Sequence, residues 1–204
     1  MAVSADLVKR LRDMTGAGMM DCKRALEETG GDLERARVLL RERGLAAASK
    51  RAGRTATEGL VEAYIHGGGR VGVLIEVNCE TDFVANTEDF RTLARDLAIH
   101  VAGHNPTWVS REDVPEEELA QERKIYETQA RDEGKPEGVI PRIVEGKLNA
   151  FLEEWCLVEQ PFFRDLEGKQ TVGVRIAEVG AKVGENIVVR RFVRFERGKD
   201  DAGG

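Results

Sequence analysis

The run GLVEAYIHGGGRVGVLIEVNCE, from Gly59 to Glu80, reads as β-structure. Gly67, Gly68 and Gly69 separate two segments rich in β-branched residues, and glycine reaches the positive φ of a tight turn at no steric cost. The pattern predicts two antiparallel strands joined by a short glycine turn. It also divides the chain, because the residues before it repeat at helical spacing.

Upstream, Leu7, Val8, Leu11 and Met14 share a helical face behind Ser4, a capping residue type, and Thr15 with Gly16 ends the run. A second helix is predicted from about Met19 to Glu28. Gly30, Gly31 and Asp32 then turn the chain into a third, carrying Leu33, Ala36, Val38, Leu39 and Leu40. The segment SKRAGRTATEG is basic and has no apolar stripe, so a linker is expected between Ala48 and Glu58.

Downstream of the hairpin, Asn86 is expected to cap a helix whose Phe90, Leu93, Ala94, Leu97 and Val101 face one way. Pro115 suits the first turn of a highly charged helix that Gly134 and Pro136 stop, and a return segment runs to Trp155. Val172, Ile176, Val179 and Val183 mark another helix, closed by Gly184. A strand ENIVVRRFVRFE follows, with Ile187, Val189, Val193 and Phe195 expected on one face, and the tail GKDDAGG is expected to be mobile.

The class is therefore α+β. An N-terminal three-helix bundle (1–50) and a linker (51–58) precede a core (59–197) in which a small antiparallel sheet packs with helices. A projecting helical hairpin occupies about 111–156, and a tail (198–204) closes the chain.

The net charge of -6 argues against a broad nucleic-acid surface, since phosphate binding needs clustered Lys and Arg. Three widely spaced cysteines, Cys22, Cys79 and Cys156, form no C-x-x-C pair and read as free cytosolic thiols. No apolar run approaches the roughly 20 residues of a membrane span, so a soluble, cytoplasmic protein is expected.

Thr15-Gly16-Ala17-Gly18 resembles a phosphate loop only weakly, because such loops follow a strand and a helix precedes this one. Gly16 is expected to cap the first helix and Gly18 to permit the turn into the second. That helix should bury Met19, Cys22, Ala25 and Leu26. Met20, among Lys23, Arg24 and Glu27, either faces water as an adaptable contact or tucks against the first helix. His100 and His104, four apart, lack both the H-E-x-x-H glutamate and a third ligand, so no metal and no cofactor are expected; a helix C-terminus favouring cations accounts for them. In CETDFVANTEDF, Asp82 and Phe83 fall on the connection between strand and helix, where Phe83 is either pinned onto its own core or offered to a partner.

LVKRLRDMTGAGMMDCKRALEETGGD, VNCETDFVAN and GENIVVRRF, in this order, resemble bacterial elongation factor Ts across nearly the whole chain. The resemblance implies a ubiquitin-associated-like N-terminal bundle and a translation factor that exchanges guanine nucleotide on elongation factor Tu, binding its GDP-bound and nucleotide-free forms. It implies Lys9, Arg12, Met19 and Met20 as the bundle's partner contact. Thr81, Asp82, Phe83 and Val84 match the family's Thr-Asp-Phe-Val motif, in which Phe83 wedges between helices of the GTPase and the Asp82 loop disturbs the Mg²⁺ surroundings. His100, Val101 and Ala102 match a second contact that longer members take from a second core subdomain. This chain has one such core, so a homodimer is expected, built on the exposed edge of the last strand. No bond chemistry is implied and neither nucleic acid nor membrane is a direct partner. An adaptor using residues 1–50 to bind peptides is the alternative; it leaves Phe83 idle.

Overall fold

A computed structural model describes residues 3–166, 168 and 170–199. The Ser4 side chain accepts from the Leu7 N–H to open α1 (Ala5–Thr15), and Gly16, at φ 67°, closes it by donating its N–H to the Arg12 carbonyl. α2 (Met19–Glu28) follows, then α3 (Leu33–Arg51), whose cap Asp32 accepts from the Arg35 N–H. The apolar stripes of the three helices close on Val8, Leu11, Cys22, Ala25, Leu26 and Ala36. α3 runs further than expected because LAAASK is made largely of good helix formers, so the connection shortens to residues 52–57.

β1 (Glu58–His66) and β2 (Val71–Cys79) form the expected hairpin, with Gly67, Gly68 and Gly69 all at positive φ. α4 (Asp82–Ala85), α5 (Glu88–His104), α6 (Glu116–Asp132), α7 (Ile140–Trp155) and α8 (Val172–Val183) follow, and β3 (Val188–Glu196) completes a sheet of order β1-β2-β3. The fold is α+β, as expected. No helix among the described residues is long and apolar enough to cross a membrane. The tail expected to be mobile lies, from Asp200, outside the described residues.

Two compact units divide the chain. The first holds the chain up to Val61 with Glu76–Ala94 and Val174–Val189; the second holds Glu62–Ile75, Arg95–Gly173 and the chain from Arg190. In the first unit Val77, Cys79, Val84, Phe90, Leu93, Ile176, Val179, Ile187 and Val189 are buried. The stem of Lys182 passes over Gly16, where a Cβ would meet its Cδ at 3.1 Å, and the ammonium reaches Asp89 at 2.6 Å. Gly16 thus serves both a left-handed cap and a close approach.

In the second unit α6 and α7 form the expected helical hairpin around Ala130, Ile140, Val144 and Leu148. The Arg164 guanidinium donates to the buried Asp96 carboxylate at 2.7 Å. The unit's part of β3 departs from the expected alternation. Ile187 and Val189 are inside, but Val193 and Phe195 are 39% and 53% exposed. Arg190 and Arg191 intervene and both are exposed, so the alternation slips; beyond them it is Arg194 that turns inward, donating to the Ala102 carbonyl at 3.3 Å.

Candidate functional site

The Thr-Asp-Phe-Val stretch is a single helical turn rather than the loop expected from its sequence. Thr81 caps it, its hydroxyl accepting from the Val84 N–H, and the turn drives Val84 and Ala85 into the interior. Asp82 and Phe83 are left outside, and Phe83 is 82% exposed, although burial of a phenylalanine side chain is worth about 1.5 to 3 kcal/mol. Asn86 is the C-cap of α4, not the start of α5: its amide donates to the Asp82 carbonyl at 2.9 Å and accepts from Arg91. Thr87 takes the capping role expected of Asn86 by accepting from the Phe90 N–H.

The turn is anchored from below by residues that sequence reasoning did not single out. One carboxylate oxygen of Glu185 accepts the N–H groups of Glu80 and Thr81 at 3.0 and 3.1 Å, and the other accepts the Thr81 hydroxyl at 2.6 Å. Reciprocally, the Glu80 carboxylate accepts the Asn186 N–H at 2.7 Å and the Arg54 guanidinium at 3.4 Å. Burial pushes the neighbouring Cys79 thiol up to about 11, and the Glu185 charge adds to the shift, so this cysteine is no nucleophile. The only sequence signal for this clasp is that GENI opens one of the motifs carrying the family resemblance.

Lys9, Arg12, Met19 and Met20 belong to the same unit as this turn, and all four are exposed. Met19 was expected inside. It is 48% exposed against 63% for Met20, because it opens α2 and has no preceding turn of helix to cover it. Neighbouring Met14 is exposed as well.

His100, Val101 and Ala102 lie in the other unit and their side chains are interior, so the second contact expected there offers no surface in the chain as folded. Nor does His100 act as a cation at a helix end. Burial first, and the nearby His104 second, lower its pKa to about 4. The two imidazoles stack nearly parallel with centroids 4.1 Å apart. The remaining histidine, His66, meets the Tyr64 hydroxyl at 2.9 Å. Among the described residues no group of three or more His, Cys, Asp or Glu side chains is placed to hold a metal ion.

Comparison with known proteins points to the same family. A family model described as elongation factor Ts matches residues 46–169. The elongation factor Ts of Caldanaerobacter subterraneus is 61% identical over 197 residues, covering 97% of this chain and 98% of that protein. That of Moorella thermoacetica is 61% identical over 199 residues, with 98% and 97% covered, and that of Carboxydothermus hydrogenoformans 57% identical, with 97% and 90% covered.

Proposed function

The chain belongs to the elongation factor Ts family of translation elongation factors, and on that premise we propose that it is the guanine-nucleotide exchange factor of elongation factor Tu. The observation that carries this reading is Phe83, an aromatic side chain held almost wholly in solvent on a turn whose other half is buried and whose backbone is clasped. A rigid aromatic projection fits a wedge entering a partner's hydrophobic seam. Exposed Met19 and Met20, with Lys9 and Arg12, supply a second, adaptable contact on the N-terminal bundle.

Exchange so driven makes and breaks no covalent bond. GDP on such a GTPase is held partly through Mg²⁺, which demands near-ideal octahedral ligands and tolerates little distortion. Phe83 entering between helices, with Asp82 beside the metal's surroundings, loosens that geometry. By linkage, a factor that binds empty GTPase better than the GDP form weakens GDP by the same ratio. The workplace is the cytoplasm, and neither nucleic acid nor membrane is a direct partner.

A homodimer is part of the same proposal. In the second unit Ile65, Gly72 and Phe195 line one groove, and Ile65, Leu74 and Phe195 are each about half exposed or more. Arg190, Arg191 and Arg194 lie on β3 with Arg197 just beyond it, and charge on an edge strand opposes strand-to-strand pairing. A second copy therefore covers the apolar face rather than extending the edge.

The test is release of a fluorescent GDP from purified bacterial elongation factor Tu at fixed Mg²⁺. Acceleration by the chain supports exchange; a folded chain that leaves the rate unchanged removes this reading and brings forward a peptide-binding adaptor built on the exposed methionines.

A further inference from the structure

We propose that Glu185 is the positioning residue of the Phe83 turn, holding it in the orientation that meets the partner; this rests on the exchange reading above. The carboxylate takes three donors from two consecutive residues, the N–H groups of Glu80 and Thr81 and the Thr81 hydroxyl. It therefore fixes the strand exit immediately before α4 begins. Hydrogen bonds to an ionised acceptor are about twice as strong as neutral ones, and these three share one acceptor group.

Glu185 is itself held. α8 ends with Gly184 at φ 81°, whose N–H donates to the Gly180 carbonyl at 2.9 Å, and the Glu185 N–H donates to that same carbonyl at 3.1 Å. This double closure fixes the direction in which residue 185 leaves the helix. Gly180 must lack a side chain, since a Cβ there would lie 2.9 Å from the Glu185 carbonyl oxygen. The adjacent Asn186 closes the clasp from the other side, donating its N–H to Glu80 and its amide to the Arg54 carbonyl at 3.0 Å. Two acidic residues more than a hundred positions apart thus each receive the other's neighbouring backbone N–H. Phe83, 82% exposed, inherits its position from the backbone they fix.

Two measurements on the full chain test this. In hydrogen exchange, Glu185→Gln keeps the shape but loses the charge and one acceptor, so the Glu80 and Thr81 amides should exchange about tenfold faster while the Leu93 amide keeps its rate. Unchanged Glu80 and Thr81 amides would overturn the clasp, whatever the partner does. In GDP release, Glu185→Gln should lower the acceleration about tenfold in the native background and leave it nearly unchanged in Phe83→Ala, because both act through one side chain. Equal losses in both backgrounds would show that Glu185 acts elsewhere and overturn the positioning role. If the native chain fails to accelerate release, the exchange reading falls while the amide rates still decide the clasp. Should Glu185→Gln not fold, Thr81→Val removes the 2.6 Å contact together with the Val84 N–H cap while both backbone N–H bonds to Glu185 stay, and it should show the same non-additivity.

Discussion

His100 and Gln160, sixty residues apart in sequence, meet at 2.9 Å in the interior. The Gln160 amide nitrogen donates to the Glu154 carbonyl at 2.6 Å, which leaves its oxygen to accept. The imidazole therefore carries its proton on Nε2, and the buried Nδ1 has no partner among the described residues. A second proton would place an uncompensated charge there.

That arrangement sets a pH dependence. The folded pKa of about 4 lies below the ordinary histidine value of 6.5, so on acidification the unfolded chain takes up the proton first. The contribution is fully present above about pH 6.5 and is lost as pH falls towards 4, amounting to about 3 kcal/mol at about 1.4 kcal/mol per pH unit. Urea unfolding at pH 7, 5.5 and 4.5 should show this loss, and His100→Gln should flatten the slope whatever it does to stability at neutral pH. An unchanged slope would place the acid lability in other groups.

The hairpin glycines separate two physical demands. Gly59 sits at φ 143°, and a Cβ there would lie 2.1 Å from the Val77 carbonyl oxygen. Gly68 also has positive φ, at 66°, but nothing lies within 4 Å of its missing Cβ. Gly68→Ala should therefore cost about 1 to 2 kcal/mol through backbone strain alone. Gly59→Ala adds a backbone clash and should cost more than that, read by chemical denaturation. Equal costs would mean that close approach at Gly59 carries no weight.

Much of the fold was legible because its signals are local. Ser4, Gly16 and Asp32 bound helices as their chemistry predicts, and three consecutive glycines announced the hairpin. α4 was not legible, since four residues are too few to show a period. Apart from GENI standing in a family motif, nothing in the chain marks the clasp, whose two halves are 104 residues apart at Thr81 and Glu185. β3 misled for a different reason. Its apolar residues alternate correctly, but Arg190 and Arg191 both stay at the surface and shift the faces beyond them. The importance of the Phe83 turn came from family resemblance; residue physics alone left its burial open, and the structure places the ring outside.

The apolar sheet face makes the oligomeric state testable. Phe195→Glu puts a charge where a second copy is proposed to pack, without touching a buried residue, since Phe195 is 53% exposed. Sedimentation equilibrium at micromolar concentration should give a dimer for the native chain and a monomer for the variant. A native monomer would remove the dimer from the account.

The most direct test is stopped-flow GDP release from bacterial elongation factor Tu with the native chain and with Phe83→Ala. Phe83 is exposed, so the variant should unfold within about 0.5 kcal/mol of the native chain. If the wedge contributes about 2 kcal/mol in the complex, acceleration should fall roughly tenfold to thirtyfold. A folded Phe83→Ala protein that accelerates release as well as the native chain would contradict the wedge.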